Sequence, residues 1–348
     1  HFFDGFRTSH EMQKIDALDY EDLRPLVDYD QLRAFRKNSL NPEHPHARGT
    51  TAGTEIFFQG REAANGHYES IPDIVQHYMD EINKITGRNY KLYEYYGAPD
   101  ATEVAVAMGS GTETLREVVD ELNSHGRKVG MISVHLFRPF SAKHFLSVLP
   151  ETVKKVAVLD RTKESGSVGE PLYLDVKAVL DDSGRHFDAV VGGRFGLAGK
   201  DTTPGQMVAV YDNLAKDQPK TNFTIGIEDD VTFTSLPYQE INIDKPHEIS
   251  CKLWGTGGDG TVGANKNSVK IIGDLTEKYT QAYFAYDAKK SGGVTQSHLR
   301  FSDQPIHATY LVQAADFVAV HNPAYIQKFD VAKDLKPGGT FLLNCQWS

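Results

Sequence analysis

Residues 103–137 have the sequence EVAVAMGSGTETLREVVDELNSHGRKVGMISVHLF, and this stretch decides the fold class. Two continuous apolar runs, 103–108 and 128–137, flank a segment at 112–123 whose apolar residues recur at helical spacing. A glycine-containing loop precedes that segment, and Gly126 follows it. Apolar runs without alternation are typical of strands buried on both faces, so the stretch predicts a parallel strand–helix–strand unit.

The same alternation continues beyond this stretch. We therefore expect a domain at 91–246 whose parallel sheet is covered by helices on both faces. In such sheets the ligand-binding loops follow the carboxyl ends of the strands, which selects the loops at 109–112, 138–141 and 160–170. The remaining predicted elements are strands at 153–159 and 188–192 and helices at 141–149, 170–180 and 204–213.

A second domain is predicted at 247–348, after a proline-containing linker at 217–246. The segment 1–90 is instead helical and loop-rich, with an amphipathic helix at 71–85 and no convincing series of strands. The sequence therefore predicts an α/β fold with two consecutive Rossmann-like parallel-sheet domains, preceded by the tail of another domain. The elements expected in the second domain are strands at 248–254, 280–286, 309–317 and 340–343 and helices at 264–276 and 324–335.

Composition and charge exclude several classes of protein. The formal net charge of −10 argues against a nucleic-acid partner, because phosphate backbones are bound by basic surfaces. No apolar run approaches the roughly 18 residues that a membrane span needs. We expect a soluble, cytoplasmic protein. The chain begins without a signal sequence and ends in a strand-like pattern, from which we expect an internal piece of a longer protein.

The residues that usually carry catalysis or metals form no recognisable constellation. The two cysteines, Cys251 and Cys345, lie in apolar sequence. They are either small buried side chains in a reducing compartment or a disulfide pair. Four thiolates usually hold an iron–sulfur cluster, so none is expected in this chain. His44 and His46 flank a proline and have no nearby ligands, which makes a poor metal site. We expect neither catalytic nor metal-binding residues here.

The strongest local signal is WGTGGDGTVGANK at 254–266, between a predicted strand and a predicted helix. Its glycines allow a tight turn and close approach of a ligand to the backbone. The start of the helix presents free N–H groups to an anion. The order Gly-Ala-Asn-Lys does not match a P-loop. The turn either binds a phosphate or is a tight turn without a ligand.

The next strand ends in Lys289 and Lys290, where a dinucleotide fold would have an acidic residue. Two lysines there suit an additional ribose phosphate, either the 3′ phosphate of CoA or the 2′ phosphate of NADP. They could equally be a solvated pair. Arg300 follows on the same predicted edge and could bind a phosphate or carboxylate bidentately. His298 is expected to be a packed polar residue.

The loop LDRTKESGSVGEP at 159–171 leaves a buried strand and enters a helix. Its mixed charges and Gly/Ser content suit a contact between domains or subunits, in which Arg161, Glu164 and Arg138 would take part. A solvated loop without a partner has the same composition.

The sequence resembles the pyruvate:ferredoxin/flavodoxin oxidoreductase family, also called pyruvate synthase. The resemblance covers essentially the whole chain, and its motifs occur in the order of the family. The runs that carry it are FDGFRTSHE, YYGAPDA, RPFS, LDRTKE, GEPLYLDV, DGTVGANKNS and YDAKKSGGVTQSHLRF. The chain departs from its relatives at Thr256 and Gly258, where Leu and Ser are common.

The resemblance implies that pyruvate, CoA and an oxidised carrier give acetyl-CoA, carbon dioxide and reduced carrier. It implies thiamine diphosphate, magnesium and [4Fe-4S] clusters in the full enzyme, not bound by this chain alone, with CoA as a substrate. Residues 1–90 would be the tail of the pyrimidine-binding thiamine domain, 91–246 a transketolase C-terminal-like domain, and 247–348 the start of the CoA-binding domain. The implied partners are the rest of the same polypeptide, ferredoxin or flavodoxin, and a second copy in a homodimer.

The resemblance also assigns residues facing CoA or thiamine diphosphate. With the glycines and Arg300 already considered, the expected binding residues are Gly258, Asp259, Gly260, Thr261, Asn265, Lys289, Lys290 and Arg300. The chain by itself is expected to be inactive. Two alternatives stay open on the sequence, namely a stand-alone module that binds CoA or a nucleotide, and a structural dimerisation module.

Overall fold

The computed structural model describes residues 1–45, 49, 51–287 and 292–346. The helices are α1 (Gly5–Ser9), α2 (Tyr20–Leu23), α3 (Tyr29–Lys37), α4 (Thr54–Glu62), α5 (Asn65–Thr86), α6 (Gly111–Ser124), α7 (Ala142–Val148), α8 (Pro171–Asp182), α9 (Pro204–Leu214), α10 (Thr261–Leu275) and α11 (Tyr325–Lys328). The strands are β1 (Glu11–Gln13), β2 (Tyr93–Gly97), β3 (Glu103–Ala107), β4 (Val129–Val134), β5 (Lys155–Asp160), β6 (Ala189–Arg194), β7 (Phe223–Thr224), β8 (Glu248–Thr256), β9 (Tyr279–Tyr286), β10 (Val294–Ser302), β11 (Ala315–Val320) and β12 (Leu335–Leu343).

The chain divides into two compact units. One comprises His1–Ile15, Tyr95–Val134 and Val148–Ser348, and the other comprises Asp16–Glu94 and His135–Ser147. The second unit is helical. Its longest helix, α5, ends at Thr86, and Gly87 follows in the left-handed conformation with a φ of 69°. A glycine at this position satisfies the helix end without steric cost, which confirms the helix end that the sequence predicts.

The first sheet has the strand order β2-β4-β3-β5-β6-β7. Strand β3 pairs in parallel with β4 and β5, and β6 pairs in parallel with β5 and β7. The aliphatic side chains of these strands are buried, Val104, Val106 and Val158 completely. The sequence missed β2 and β7, because β2 is rich in tyrosine rather than aliphatic residues and β7 has only two residues.

The second sheet has the order β1-β9-β10-β8-β11-β12. Strands β8, β11 and β12 are parallel, whereas β10 is antiparallel to both β8 and β9, and β1 is antiparallel to β9. The predicted α/β class with two sheets is confirmed, but this sheet is mixed rather than wholly parallel, and both sheets lie almost entirely in one compact unit. A chain that returns directly from β9 to β10 through a short loop must pair antiparallel.

The sequence missed β1 and β10 in this sheet. Apart from Val294, Leu299 and Phe301, the side chains of β10 are polar, so neither a continuous apolar run nor a regular alternation marks it. They are nevertheless buried, including Thr295, Ser297, His298 and Arg300. The strand predicted at 309–317 is also shifted, since β11 begins only at Ala315.

Neither cysteine forms a disulfide, and both are half-buried. Among the described residues, no helix has both the length and the apolar character needed to cross a membrane.

Candidate functional site

The glycine-rich turn connects β8 to α10, as predicted. Gly258 and Gly260 have φ values of 95° and 89°, a region that side chains with a Cβ rarely adopt. Among the described residues other than the chain neighbours, no atom lies within 4 Å of the position a Cβ would take at either glycine, so no described residue fills the space above the turn. At Gly255 a Cβ would lie 2.5 Å from the Thr261 Oγ1 atom, which shows how closely the helix start approaches the strand.

Asp259 builds the turn with its own carboxylate. The carboxylate accepts hydrogen bonds from the backbone N–H of Thr256 at 2.7 Å and of Thr261 at 2.8 Å. Partial burial acts to raise the pKa of Asp259, but these hydrogen bonds outweigh burial and lower it. The side chain predicted to face a ligand is thus engaged with the turn. The other N–H groups of the first turn of α10 have no acceptor within the helix.

Asn265 lies one helical turn after Thr261 and is 4% exposed. Its Nδ2 atom has no hydrogen-bond partner among the described residues, and the same holds for the hydroxyls of Thr295 and Ser297 on β10. Buried polar atoms are nearly always satisfied. Together with Trp254 Nε1 and His298 Nε2, five buried polar atoms on β8, β10 and α10 lack a partner among the described residues, which favours a polar ligand or ordered water beside these elements. These residues fit a phosphate-bearing ligand.

Lys289 and Lys290 lie outside the described residues. The residues that follow them reach the turn, because the Gly257 N–H donates to the Gly293 carbonyl at 2.7 Å and the Gly292 N–H donates to the Gly257 carbonyl at 3.1 Å. The expectation for the two lysines stays a prediction.

Arg300 is not at the turn, contrary to the sequence-based expectation. It pairs in register with Ser250, six residues before the end of β8, which corresponds to roughly 20 Å along a strand. Arg300 is 3% exposed and donates to Gln281 Oε1 at 2.9 Å and to the Tyr310 carbonyl at 2.8 Å. It also pairs with Glu248 at 3.3 Å, so each of the three guanidinium nitrogens already has a protein partner.

His298 is a packed residue, as predicted. It is buried, and its Nδ1 atom accepts a hydrogen bond from the Val312 N–H at 3.2 Å. Burial lowers the pKa of His298 well below its ordinary value, so the ring is neutral.

The structure adds a second loop to the turn, which the sequence did not identify. This is the HNPAY loop, residues 321–325, which follows the carboxyl end of β11. The His321 Nδ1 atom lies 2.7 Å from Thr261 Oγ1, and the Tyr325 hydroxyl lies 2.8 Å from Thr256 Oγ1. The rule that ligand loops follow strand ends would have selected this loop, had the strand predicted at 309–317 been placed correctly.

The carboxyl edge of the first sheet is occupied by the chain itself. Asp4 accepts hydrogen bonds from the Ser110 N–H at 3.0 Å and from Arg161 Nη1 at 2.6 Å. It therefore fills the position at the start of α6 where a ligand anion would bind. Of the predicted ligand loops, 109–112 and 160–170 contribute to this contact, and 138–141 belongs to the other unit.

Arg161 makes a contact, but its partner Asp4 lies in the same compact unit and not in a separate domain or subunit. Glu164 is exposed. Among the described residues, no group of three or more His, Cys, Asp or Glu side chains is placed to hold a metal ion.

Three family models match consecutive parts of the chain. Residues 1–80 match the model described as pyruvate flavodoxin/ferredoxin oxidoreductase, thiamine diphosphate-binding. Residues 101–207 match pyruvate:ferredoxin oxidoreductase core domain II, and residues 250–348 match pyruvate ferredoxin/flavodoxin oxidoreductase.

Curated relatives match the chain over its whole length. The chain is 57% identical to a pyruvate:ferredoxin oxidoreductase of Moorella thermoacetica and 55% identical to a pyruvate-flavodoxin oxidoreductase of Enterobacter agglomerans. These alignments cover 100% and 99% of the chain and 30% of each relative. A pyruvate dehydrogenase [NADP(+)] of Cryptosporidium parvum is 51% identical over 100% of the chain and 18% of its own length. The chain therefore spans less than a third of the length of these relatives.

Proposed function

The chain belongs to the pyruvate ferredoxin/flavodoxin oxidoreductase family, and from this premise we propose that it supplies the CoA-binding surface of such an oxidoreductase. The whole enzyme would convert pyruvate and CoA to acetyl-CoA and carbon dioxide and pass two electrons to ferredoxin or flavodoxin. Residues 247–348 would bind CoA, 91–246 would form the transketolase C-terminal-like domain, and 1–90 would be part of the thiamine domain.

The observation that carries the proposal is the open glycine-rich turn. Gly258 and Gly260 leave the backbone uncovered, and α10 begins directly after them. The partial positive charge at a helix start stabilises phosphate oxygens. The Nδ2 atom of buried Asn265 has no hydrogen-bond partner in the part of the chain that the structure describes. A phosphorylated thiol carrier such as CoA fits this arrangement, and the proposed reaction consumes CoA.

Lys289 and Lys290 would neutralise the 3′ phosphate of CoA. They precede Gly292, which contacts the turn, by only three and two positions. A flexible lysine interacts with phosphate as a compact point charge. The 2′ phosphate of NADP could pair with the same two ammonium groups, so the test includes both CoA and NADP.

The other cofactors of the reaction would be bound elsewhere. Thiamine diphosphate with magnesium would carry the substrate carbanion, and [4Fe-4S] clusters would accept the electrons. We assign none of this chain's residues to them. The relatives are named for ferredoxin, flavodoxin or NADP(+), although each is at least 51% identical to this chain. The identity of the acceptor is therefore not expected to depend on these residues.

The match to three models of one family makes a stand-alone nucleotide-binding or dimerisation module the less favoured alternative. Within the proposed enzyme a homodimer remains our expectation.

The proposal is tested by titrating the 348-residue chain with CoA, dephospho-CoA and NADP in a calorimeter. We expect CoA to bind most tightly. Lys289→Ala with Lys290→Ala should weaken CoA binding by roughly 1.5–3 kcal/mol per lost contact and dephospho-CoA binding far less. Lys163→Ala with Lys200→Ala, at exposed positions on the other domain, is the matched control. Absence of CoA binding to the unmodified chain would refute the proposal. Tighter binding of NADP than of CoA would also contradict it and would indicate NADP as the ligand of the turn.

A further inference from the structure

The HNPAY loop contacts the glycine-rich turn through several hydrogen bonds. The His321 N–H donates to the Trp254 carbonyl at 3.0 Å, which continues the pairing of β11 with β8 past the strand end. From there three side chains, those of His321, Asn322 and Tyr325, make hydrogen bonds to residues of the turn.

On the strand side of the turn, three successive hydrogen bonds can all run in the same donor-to-acceptor direction. Asn322 Nδ2 donates to Thr256 Oγ1 at 3.2 Å. Thr256 Oγ1 can then donate to the Tyr325 hydroxyl at 2.8 Å, and that hydroxyl donates to the Gly255 carbonyl at 3.3 Å. Tyr325 is 5% exposed and packs edge-on against Phe329, so its hydroxyl is held in place.

On the helix side, Thr261 is the first residue of α10 and is 4% exposed. Its hydroxyl lies 2.7 Å from His321 Nδ1. The two threonines flank the glycines on either side, and Asp259 joins their amides. The HNPAY loop therefore holds both ends of a segment in which, between Thr256 and Thr261, only Asp259 contributes a side chain.

We infer that the HNPAY loop positions the phosphate-binding turn, with Tyr325 and His321 as its positioning residues. The inference rests on the proposed function of the turn. A glycine-rich segment loses much conformational entropy when it is ordered around a ligand. A loop that orders the segment beforehand removes part of that cost and so increases affinity without touching the ligand.

Conservative substitutions separate positioning from general destabilisation. Tyr325→Phe removes the hydroxyl but keeps the ring. His321→Asn places a polar atom near the position of Nδ1, whereas His321→Gln places it near Nε2. Tyr279→Phe, at the start of β9, is the matched control for removal of a tyrosine hydroxyl.

The first measurement is hydrogen exchange of the ligand-free chain, followed by mass spectrometry. A neutral hydrogen bond contributes about 0.5–1.5 kcal/mol, equivalent to roughly 2- to 10-fold in an equilibrium constant. Peptides covering 256–264 should therefore exchange about 2- to 10-fold faster in Tyr325→Phe and His321→Gln. His321→Asn and Tyr279→Phe should match the unmodified chain.

The second measurement is CoA affinity by calorimetry, which should fall by a similar factor in the same two variants and in neither of the others. Unchanged exchange at 256–264 in Tyr325→Phe and His321→Gln would overturn the inference, as would an equal loss in His321→Asn. Failure of the unmodified chain to bind CoA would refute the proposed function, and hydrogen exchange would still decide whether the loop orders the turn.

Discussion

Asp160 is 1% exposed and lies at the carboxyl end of β5. Its carboxylate accepts hydrogen bonds from the N–H groups of Leu172 at 3.0 Å and Tyr173 at 3.1 Å, in the first turn of α8. Burial raises the pKa of Asp160 to about 6, against an ordinary value of 3.8, because desolvation outweighs these two hydrogen bonds. Keeping this buried carboxylate ionised at neutral pH therefore lowers the free energy of unfolding.

The sign of this shift gives a pH-dependent prediction. The folded protein binds the Asp160 proton more tightly than the unfolded chain, so this group's contribution to the free energy of unfolding falls as pH rises from about 4 to about 6. We expect the difference in free energy of unfolding between the unmodified chain and Asp160→Asn to decrease over that range. Urea unfolding at several pH values measures it.

Asp181→Asn, at an exposed position of the same helix, is the matched control for the loss of one aspartate charge. A difference for Asp160→Asn that stays constant or grows with pH would contradict the assignment of a raised pKa to this carboxyl group.

At the scale of elements, the N-terminal segment His1–Ile15 joins the two sheets of its unit. Asp4 binds at the start of α6 beside the first sheet, and β1 adds an edge strand to the second. Between them, Arg7 donates to Asp201 Oδ1 at 2.8 Å and to the Thr309 carbonyl at 2.6 Å. A three-residue strand contributes little pairing of its own, so we expect these ionic contacts to help hold the segment.

Asp4→Ala should therefore release the segment. The substitution leaves the Arg161 guanidinium and the start of α6 without their carboxylate, and removing one partner of a largely buried pair costs about 3 kcal/mol. We expect a lower unfolding midpoint and faster hydrogen exchange at 11–13 and 110–114. Added acetate should restore part of the loss, because it can occupy the vacated position.

The control for this prediction is Asp182→Ala, an exposed aspartate at the end of α8, which should change neither quantity. Exchange at 11–13 that is unaffected by Asp4→Ala would show that β1 is held by its strand pairing alone.

At the scale of the whole molecule, the sequence predicted what local chemistry determines. Continuous aliphatic runs marked β3, β4 and β5, and the glycine at 87 marked the end of α5. The turn at 254–266 was predicted because several glycines are clustered between a predicted strand and a predicted helix, which is typical of a tight turn. These features depend on residues close together in the chain.

What the sequence could not predict depends on distant partners. Strand β10 carries many polar residues, and its buried Arg300 is satisfied by Gln281 and Glu248 from other strands. The same burial removes Arg300 from the binding turn. Asp4 lies 157 positions before Arg161, and no local pattern pairs them. The contribution of Tyr325 to the turn likewise follows from the pairing of β11 with β8.

The most direct test of the account is the effect of a methyl group at Gly258 on CoA binding. An alanine there must adopt a φ of 95° and would project into the open space where the phosphates are proposed to lie. Non-glycine residues in such conformations cost about 1–3 kcal/mol. The control is Gly126→Ala, whose φ of 85° imposes similar strain in equally open space at the end of α6. The account predicts that Gly258→Ala lowers CoA affinity about tenfold or more while Gly126→Ala binds CoA like the unmodified chain. Equal affinities of the unmodified chain and Gly258→Ala would contradict it.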